Sequence, residues 1–474
     1  MNTRSAAPST SLRAGSAADV AASRAATYPR GAEDGAASAG VTPALQAWQR
    51  LFRDLPREHG FVPLRVEGRI PDELRGTIYR CGPSHFGPYV HWFDGDGAVS
   101  AVRFERGRAE GAVRTVETKW LRAERAANRQ LYRSYAQLGR GLRRWFTLPK
   151  NPANISVLPR NGELLALWEA GLPIAIDPQT LETRGETTLG GAIGPTFSAH
   201  PHRGFNFGLH YGPKFSIDLY AMNGDVRRIG NVPLPRPTLI HDFIPTQRHF
   251  VFFCPPVRLR LGRLLAGIDT FDANLAWEPQ HGTEVIVVPL ATPNKPIRFT
   301  VPPFFQWHFV NAWETSDTEI VVDYLPYRDF ETNNWFGRAP YDPPRTPPAS
   351  RYARARLDLT SRRMDVEVLS DLSCDFPAFD QKHVWLLSFD ALPPKLFRFD
   401  LETLTHRFVP LGPDTVPSEP TVVNGWVLSL VFDATRDASY LAIIDGARPE
   451  DGPVAKAWFD HFIPFPFHGA WESQ

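Results

Sequence analysis

The chain has 474 residues, 43% hydrophobic and 12% aromatic, enough for one large core or two to three ordinary ones. A formal net charge of +1 and no concentrated basic face leave no field to recruit nucleic acid or an acidic partner. Cys81, Cys254 and Cys374 are odd in number and far apart, which argues against a disulfide framework and fits a reducing cytosol; no apolar run approaches the roughly 20 residues that span a bilayer.

Residues 1–43 are rich in Ala, Ser and Gly without an aliphatic cluster, which predicts a disordered tail; residues 44–474 are expected to form a single domain. The tail lacks the apolar centre of a secretory signal, and Asp19, Glu33 and Asp34 argue against an import leader. "FDGDG" at 93–97 predicts a tight glycine turn in which Asp94 and Asp96 bond backbone, because the further ligands of a calcium loop are missing. Residues 122–146, "RAERAANRQLYRSYAQLGRGLRRWF", read as a helical insertion. Around it, short strands are punctuated by 45 prolines and 35 glycines.

One hairpin recurs: "IAIDPQTLET" (174–183), "FSIDLYAMNGDV" (215–226), "ARLDLTSRRMDV" (355–366) and "FRFDLETLTHRF" (397–408). Each reads as an apolar strand ending in Asp, a polar turn and a second strand, Asp favouring such turns by bonding the amides ahead of it. Between them, "VRLRLGRLLAG" (257–267) alternates basic and apolar residues, and "YDPPRTPPAS" (341–350) predicts a proline-rich surface loop. Repeated hairpins point to a β-propeller, with a large sandwich or several β-domains as the alternatives. A propeller also explains the aromatic end "PFPFHGAWESQ" (464–474), since closing a ring of sheets pairs a terminal segment with an early strand.

Of 14 histidines, four lie in apolar or aromatic stretches beside small or turn-forming residues: His200 in "TFSAHPH", His241 in "TLIHDFIPT", His308 in "QWHFVNAWE" and His468 in "PFPFHGAWES". No zinc-finger or HExxH spacing is present, so a metal site here has to be assembled by the fold. His202 is two residues from His200 and shares its side of an extended strand, so periodicity does not choose between them.

Together with "YRCGP" (79–83), "HWFDGDGAVSAVRF" (91–104), "LLALWEAGLPIAIDPQTLET" (164–183), "GPTFSAHPH" (194–202), "LIHDF" (239–243), "HFVNAWE" (308–314), "SEPTVVNGWVLSLVFD" (418–433) and "FHGAWE" (467–472), these stretches resemble the carotenoid cleavage oxygenase family. The resemblance runs from about residue 55 to the end. It implies a seven-bladed β-propeller capped by helices and loops, with His200, His241, His308 and His468 as the ligands of one Fe(II) on the axis and dioxygen as co-substrate. Glu169 in "ALWEAG" and Glu419 in "PSEP" match two family carboxylates that accept the ligands' other ring N–H; the third slot holds Asp375 in "SCDFPAF". An aspartate is one methylene shorter, which predicts a lengthened or water-mediated contact. Ile155 in "NPANISV" stands where many cleaving members have threonine beside the open coordination position. Asn311 and Trp313 are expected to brace the strand of His308.

The resemblance leaves two substrate classes. Stilbenoid cleavers hold a phenol with tyrosine and lysine, and those slots fall here at Thr115 and Trp168, neither able to deprotonate a phenol. An apolar polyene needs an aromatic tunnel, which suits 32 Phe and 13 Trp, with "PPFFQWHF" (302–309), and so Phe305 and Trp307, along its wall. Residues 257–267 are compatible with a peripheral membrane contact, Arg258, Arg260 and Arg263 toward head groups and Leu259, Leu261, Leu264 and Leu265 inward. The leading expectation is a monomeric, cytoplasmic Fe(II) dioxygenase, possible at a membrane surface, that cleaves a conjugated double bond of a carotenoid or apocarotenoid. The alternatives are a stilbenoid dioxygenase and a non-catalytic propeller that binds apolar ligands.

Overall fold

The strand His468–Ser473 pairs antiparallel with the early strand Gly76–His85, Cys81 opposite His468. In the same way Arg65–Gly68 pairs with the late strand Pro453–Trp458, so the two ends of the described chain are interleaved in two sheets. The structure, a computed structural model, describes residues 43–87, 91–145, 147–211, 214–340 and 347–474. The tail expected over 1–43 lies outside the described residues except for its last residue, and so does the first part of the proline-rich loop; Pro347 and Ser350 of that loop are buried.

The fold is all-β, and among the described residues the helical pieces between the strands are short. Among the described residues the strands make seven sheets, most of them antiparallel meanders of neighbours in sequence. Successive sheets bury apolar side chains against each other. Ile78, Val102 and Phe104 meet Leu428, Leu441 and Ile443; Val99 and Ala101 meet Val157, Leu164 and Ile174. Phe207 and Ile217 meet Phe252 and Ile286. At about 1.5–3 kcal/mol for each fully buried large side chain, these inter-sheet layers are the main stabilising term.

The recurring turn has the expected chemistry in three of its four copies. Asp177 Oδ1 accepts the amides of Gln179 and Thr180 at 2.8 and 3.0 Å. Asp358 does the same for Thr360 and Ser361, and Asp400 for Glu402 and Thr403. In the fourth copy the strand Phe215–Ala221 runs straight through Asp218, whose carboxylate is taken by Arg228 at 2.6 Å and Asn231 at 2.7 Å on the neighbouring strand. With those cross-strand partners, Asp218 is not free to cap a turn.

Among the described residues the expected helical insertion is helical only at Lys119–Ala127, which begins just before it, and in a single turn at Gly141–Arg144. Thr118 caps the helix by accepting the Leu121 amide, and Asn128 ends it in the left-handed region at φ 46°. Its buried Glu124 reaches Lys150 Nζ at 2.8 Å, and Lys150 also meets Asp96 at 2.8 Å. Asp96 is thus paired with a lysine, and Asp94 accepts the Ala136 amide as expected. The 257–267 segment is a strand, Val257–Leu259, followed by a short helix, Leu261–Leu265.

Candidate metal centre

The fold brings His200, His241, His308 and His468 together. One ring nitrogen from each lies within 4.8 Å of the others, and all four residues are buried. His200 and His241 sit in loops ahead of the strands Phe205–Tyr211 and Ile244–Pro245; His308 lies inside Phe305–Glu314 and His468 opens the last strand. The pairing register breaks on either side of Phe309, a bulge that re-aims the neighbouring His308.

Each Nε2 faces inward: His200 Nε2 is 2.9 Å from His241 Nε2, and His308 Nε2 is 3.2 Å from His468 Nε2. On three of the four rings the opposite nitrogen faces a carboxylate. His308 Nδ1 meets Asp375 Oδ1 at 2.6 Å and His468 Nδ1 meets Glu419 Oε1 at 2.8 Å. Glu169 Oε1 lies in close contact with His241 Nδ1, off the line of a hydrogen bond. An Nδ1–H given to a carboxylate leaves Nε2 as a bare lone pair. Two such lone pairs about 3 Å apart repel unless a cation lies between them. Metal–nitrogen bonds of roughly 2.1 Å put ligands at right angles about 3.0 Å apart, so the spacing fits a shared ion. Three carboxylates against one guanidinium, Arg80 on Glu419 at 2.7 Å, leave a net charge that suits a divalent cation.

Burial holds His200 well below the usual imidazole range, and the neighbouring imidazoles add to this. Burial likewise lowers His468, despite Glu419. Burial opposes charge on His308 too, but the Asp375 carboxylate overrides it and raises that group. Asp375 and Glu419 lie below the carboxylate range: burial pushes each up, and the facing imidazole, with Arg80 at Glu419, pulls it down further.

Asp375 departs from expectation, since its contact to His308 is direct and short. The register of its strand breaks between Asp375 and Ala378, with Phe376 left-handed at φ 58°, and this bulge carries the carboxylate forward. His202 is resolved from His200 by its partner: its Nε2 meets Asp242 Oδ1 at 2.8 Å, outside the cluster. Asp242 also accepts the Phe309 amide at 2.9 Å, tying the His241 loop to the His308 strand. Asn311 accepts a hydrogen bond from Arg203, and Trp313 lies under Arg354.

Beside the centre is a narrow cavity of about 40 Å³, walled by Ile155, Trp168, Glu169, Tyr211, Phe271 and Trp307 among others. Ile155 O accepts the His468 amide at 3.1 Å, and the Trp307 ring meets His241 edge-on at 4.7 Å. Phe305 stands behind Trp307 at 4.7 Å. Thr115 is elsewhere: its hydroxyl donates to Glu58 Oε1 at 2.6 Å, and it does not line the cavity. The apolar face expected at 257–267 is turned inward, because Leu259 and Leu264 belong to the largest core and Leu261 packs against it. Exposed apolar side chains lie elsewhere along the chain: Leu142 and Trp145 in the insertion, Leu148 just after it, and Ile268. Among the described residues no helix is long and apolar enough to cross a membrane.

Sequence reasoning missed Arg80, Asp242, Tyr211 and Tyr327. Arg80 and Asp242 stood inside motifs that had been singled out, but only the fold supplies their partners.

An all-β scaffold that gathers four buried imidazoles, three of them backed by carboxylates, defines a centre able to hold a metal ion. The model of the retinal pigment epithelial membrane protein family, RPE65, matches residues 52–473, and the chain belongs to that family of carotenoid cleavage oxygenases. It is 28% identical to the apocarotenoid-15,15'-oxygenase of Synechocystis sp., over 90% of this chain and 96% of that protein. It is also 28% identical to the isoeugenol monooxygenase of Pseudomonas putida, over 88% and 96%. The crystal structure of cobalt-substituted Synechocystis ACO superposes with a TM-score of 0.81 at 26% identity, covering 91% of this chain and 99% of that one. With oxygenases as relatives over nearly its whole length, the chain is an oxidoreductase that incorporates dioxygen.

Proposed function

We propose that this chain is an Fe(II)-dependent dioxygenase that cleaves a conjugated carbon–carbon double bond of a carotenoid or apocarotenoid to two carbonyl products. The observation that carries this reading is the adjoining of a four-imidazole centre and an aromatic, lysine-free cavity. His200, His241, His308 and His468 would hold the ion; Asp375 and Glu419 fix the tautomers of His308 and His468 with Nε2 inward, and Glu169 faces His241 Nδ1. Bound there, iron would supply the one-electron chemistry by which dioxygen reacts with a closed-shell alkene. The chain's own contribution is positional: Trp168, Phe271 and Trp307 orient an apolar substrate and keep water out, and no general base is needed.

The family fold is a seven-bladed propeller on this reading. The seven-stranded sheet supports that count, because its long strand Arg363–Phe379 pairs with Arg351–Asp358 through one half and with His383–Ser388 through the other. Divided there, and with the two-stranded Val257–Leu259 ribbon assigned to the cap, the sheets number seven. Residues 44–474 form the oxygenase domain, and Leu142, Trp145, Leu148 and Ile268 are the residues that would touch a membrane.

A second reading, a stilbenoid or phenylpropenoid double bond, is favoured by one observation: Tyr135 and Tyr211 bring phenols to the cavity. Its small volume also suits a short substrate better than a long one unless side chains move. Iron-loaded protein incubated aerobically with β-apo-carotenals, isoeugenol and resveratrol separates the readings by product mass. Aldehydes from the apo-carotenals are expected; cleavage of the phenolic alkenes alone would replace the first reading with the second.

A further inference from the structure

We propose, building on the metal-centre reading above, that Tyr327 is a positioning residue for His308 and acts through Asp375. The Tyr327 hydroxyl donates to Asp375 Oδ2 at 2.6 Å, while Asp375 Oδ1 takes the His308 Nδ1–H at 2.6 Å and the Phe376 amide at 2.8 Å. All three side chains are buried. A carboxylate held only at one oxygen can rotate about its last bond and swing off the imidazole axis. The phenol fixes the second oxygen and with it the carboxylate plane, so Oδ1 stays on the His308 N–H.

Glu419 has the same device with a different donor, since its Oε2 is held by Arg80 at 2.7 Å while Oε1 meets His468. The phenol thus does for the shorter Asp375 what a guanidinium does for Glu419. It also links the centre to the cavity. Thr332, which lines a second small cavity together with Tyr327 and Asp375, accepts the indole N–H of Trp307 at 3.0 Å, and Trp307 walls the cavity beside the centre.

Tyr327→Phe keeps the ring and removes only the hydroxyl. Cobalt(II) and iron(II) are titrated into chelator-stripped wild type, Y327F, D375N and the double variant, with thermal unfolding of the metal-free forms as the folding control. Y327F is expected to weaken metal binding about 3- to 10-fold and D375N about 10- to 100-fold, the range for groups that orient a ligand. The double variant should lie within about twofold of D375N, because Tyr327 has no route to His308 once the carboxylate is gone. Wild-type affinity in Y327F, or two factors that multiply, overturns the proposal. Nitrogen-15 histidine spectra of the metal-free proteins separate this from the metal reading. If wild type binds neither metal, that reading falls, yet a His308 Nδ1–H tautomer fixed in wild type and averaged in Y327F still supports Tyr327; identical spectra refute it.

Discussion

Arg80→Met removes a guanidinium from beneath the Glu419–His468 pair while keeping much of its buried stem. Arg80 is 2% exposed. Its Nη1 donates to Glu419 Oε2 at 2.7 Å, and its Nη2 to Thr421 Oγ1 at 2.9 Å and Leu428 O at 3.3 Å. Without it, Glu419 keeps its charge in the interior with only His468 and the Gly469 amide as partners. Removing one member of a buried ion pair costs about 3–5 kcal/mol, mostly because the other charge is left uncompensated. Glu419→Gln strands the guanidinium and should cost a similar amount. The double variant R80M/E419Q strands neither charge and is expected to recover about 2 kcal/mol or more of the summed losses. Denaturant midpoints of chelator-treated protein, followed by tryptophan fluorescence, measure all four forms. Single variants within about 1 kcal/mol of wild type, or losses that simply add, would refute a compensated buried pair.

Other consequences are as direct. Burial raises the Asp94 carboxyl from 3.8 to about 6, with the Asp272 charge also pushing it up. The folded state therefore holds this proton to higher pH than the unfolded chain, and its contribution to stability is lost as pH rises from about 4 to about 6, some 3 kcal/mol in all. Asp94→Asn removes that dependence, so the stability of the variant relative to wild type should rise across this window; a constant difference would contradict it. His308→Ala should abolish iron retention while the circular dichroism stays β-type, and unchanged iron content would remove it from the ligand set. Leu142→Glu with Leu148→Glu should reduce co-sedimentation with phospholipid vesicles several-fold, whereas L259E should instead unfold the protein, since Leu259 is 5% exposed.

Much of the architecture was legible in local sequence. Asp177, Asp358 and Asp400 mark turns because a carboxylate two or three residues from an amide closes the same ring wherever no distant partner claims it. The four histidines and Glu169 and Glu419 stood in motifs that carried the family resemblance. Asp218 failed as a turn signal because cross-strand partners, absent from its own segment, claimed its carboxylate.

The tertiary structure decided whatever depends on contacts between distant residues. It assigned His202 to Asp242 and left His200 to the cluster, a choice that two residues of equal periodicity could not express. It moved Asp375 onto His308 through a bulge, buried Leu259 and Leu264, and took Thr115 to Glu58. Turn chemistry is set by neighbours a few bonds away and can be read along the chain. The partner of a buried charge is set by whichever segment the fold lays beside it, and that segment can lie hundreds of residues off, as Glu419 does from Arg80.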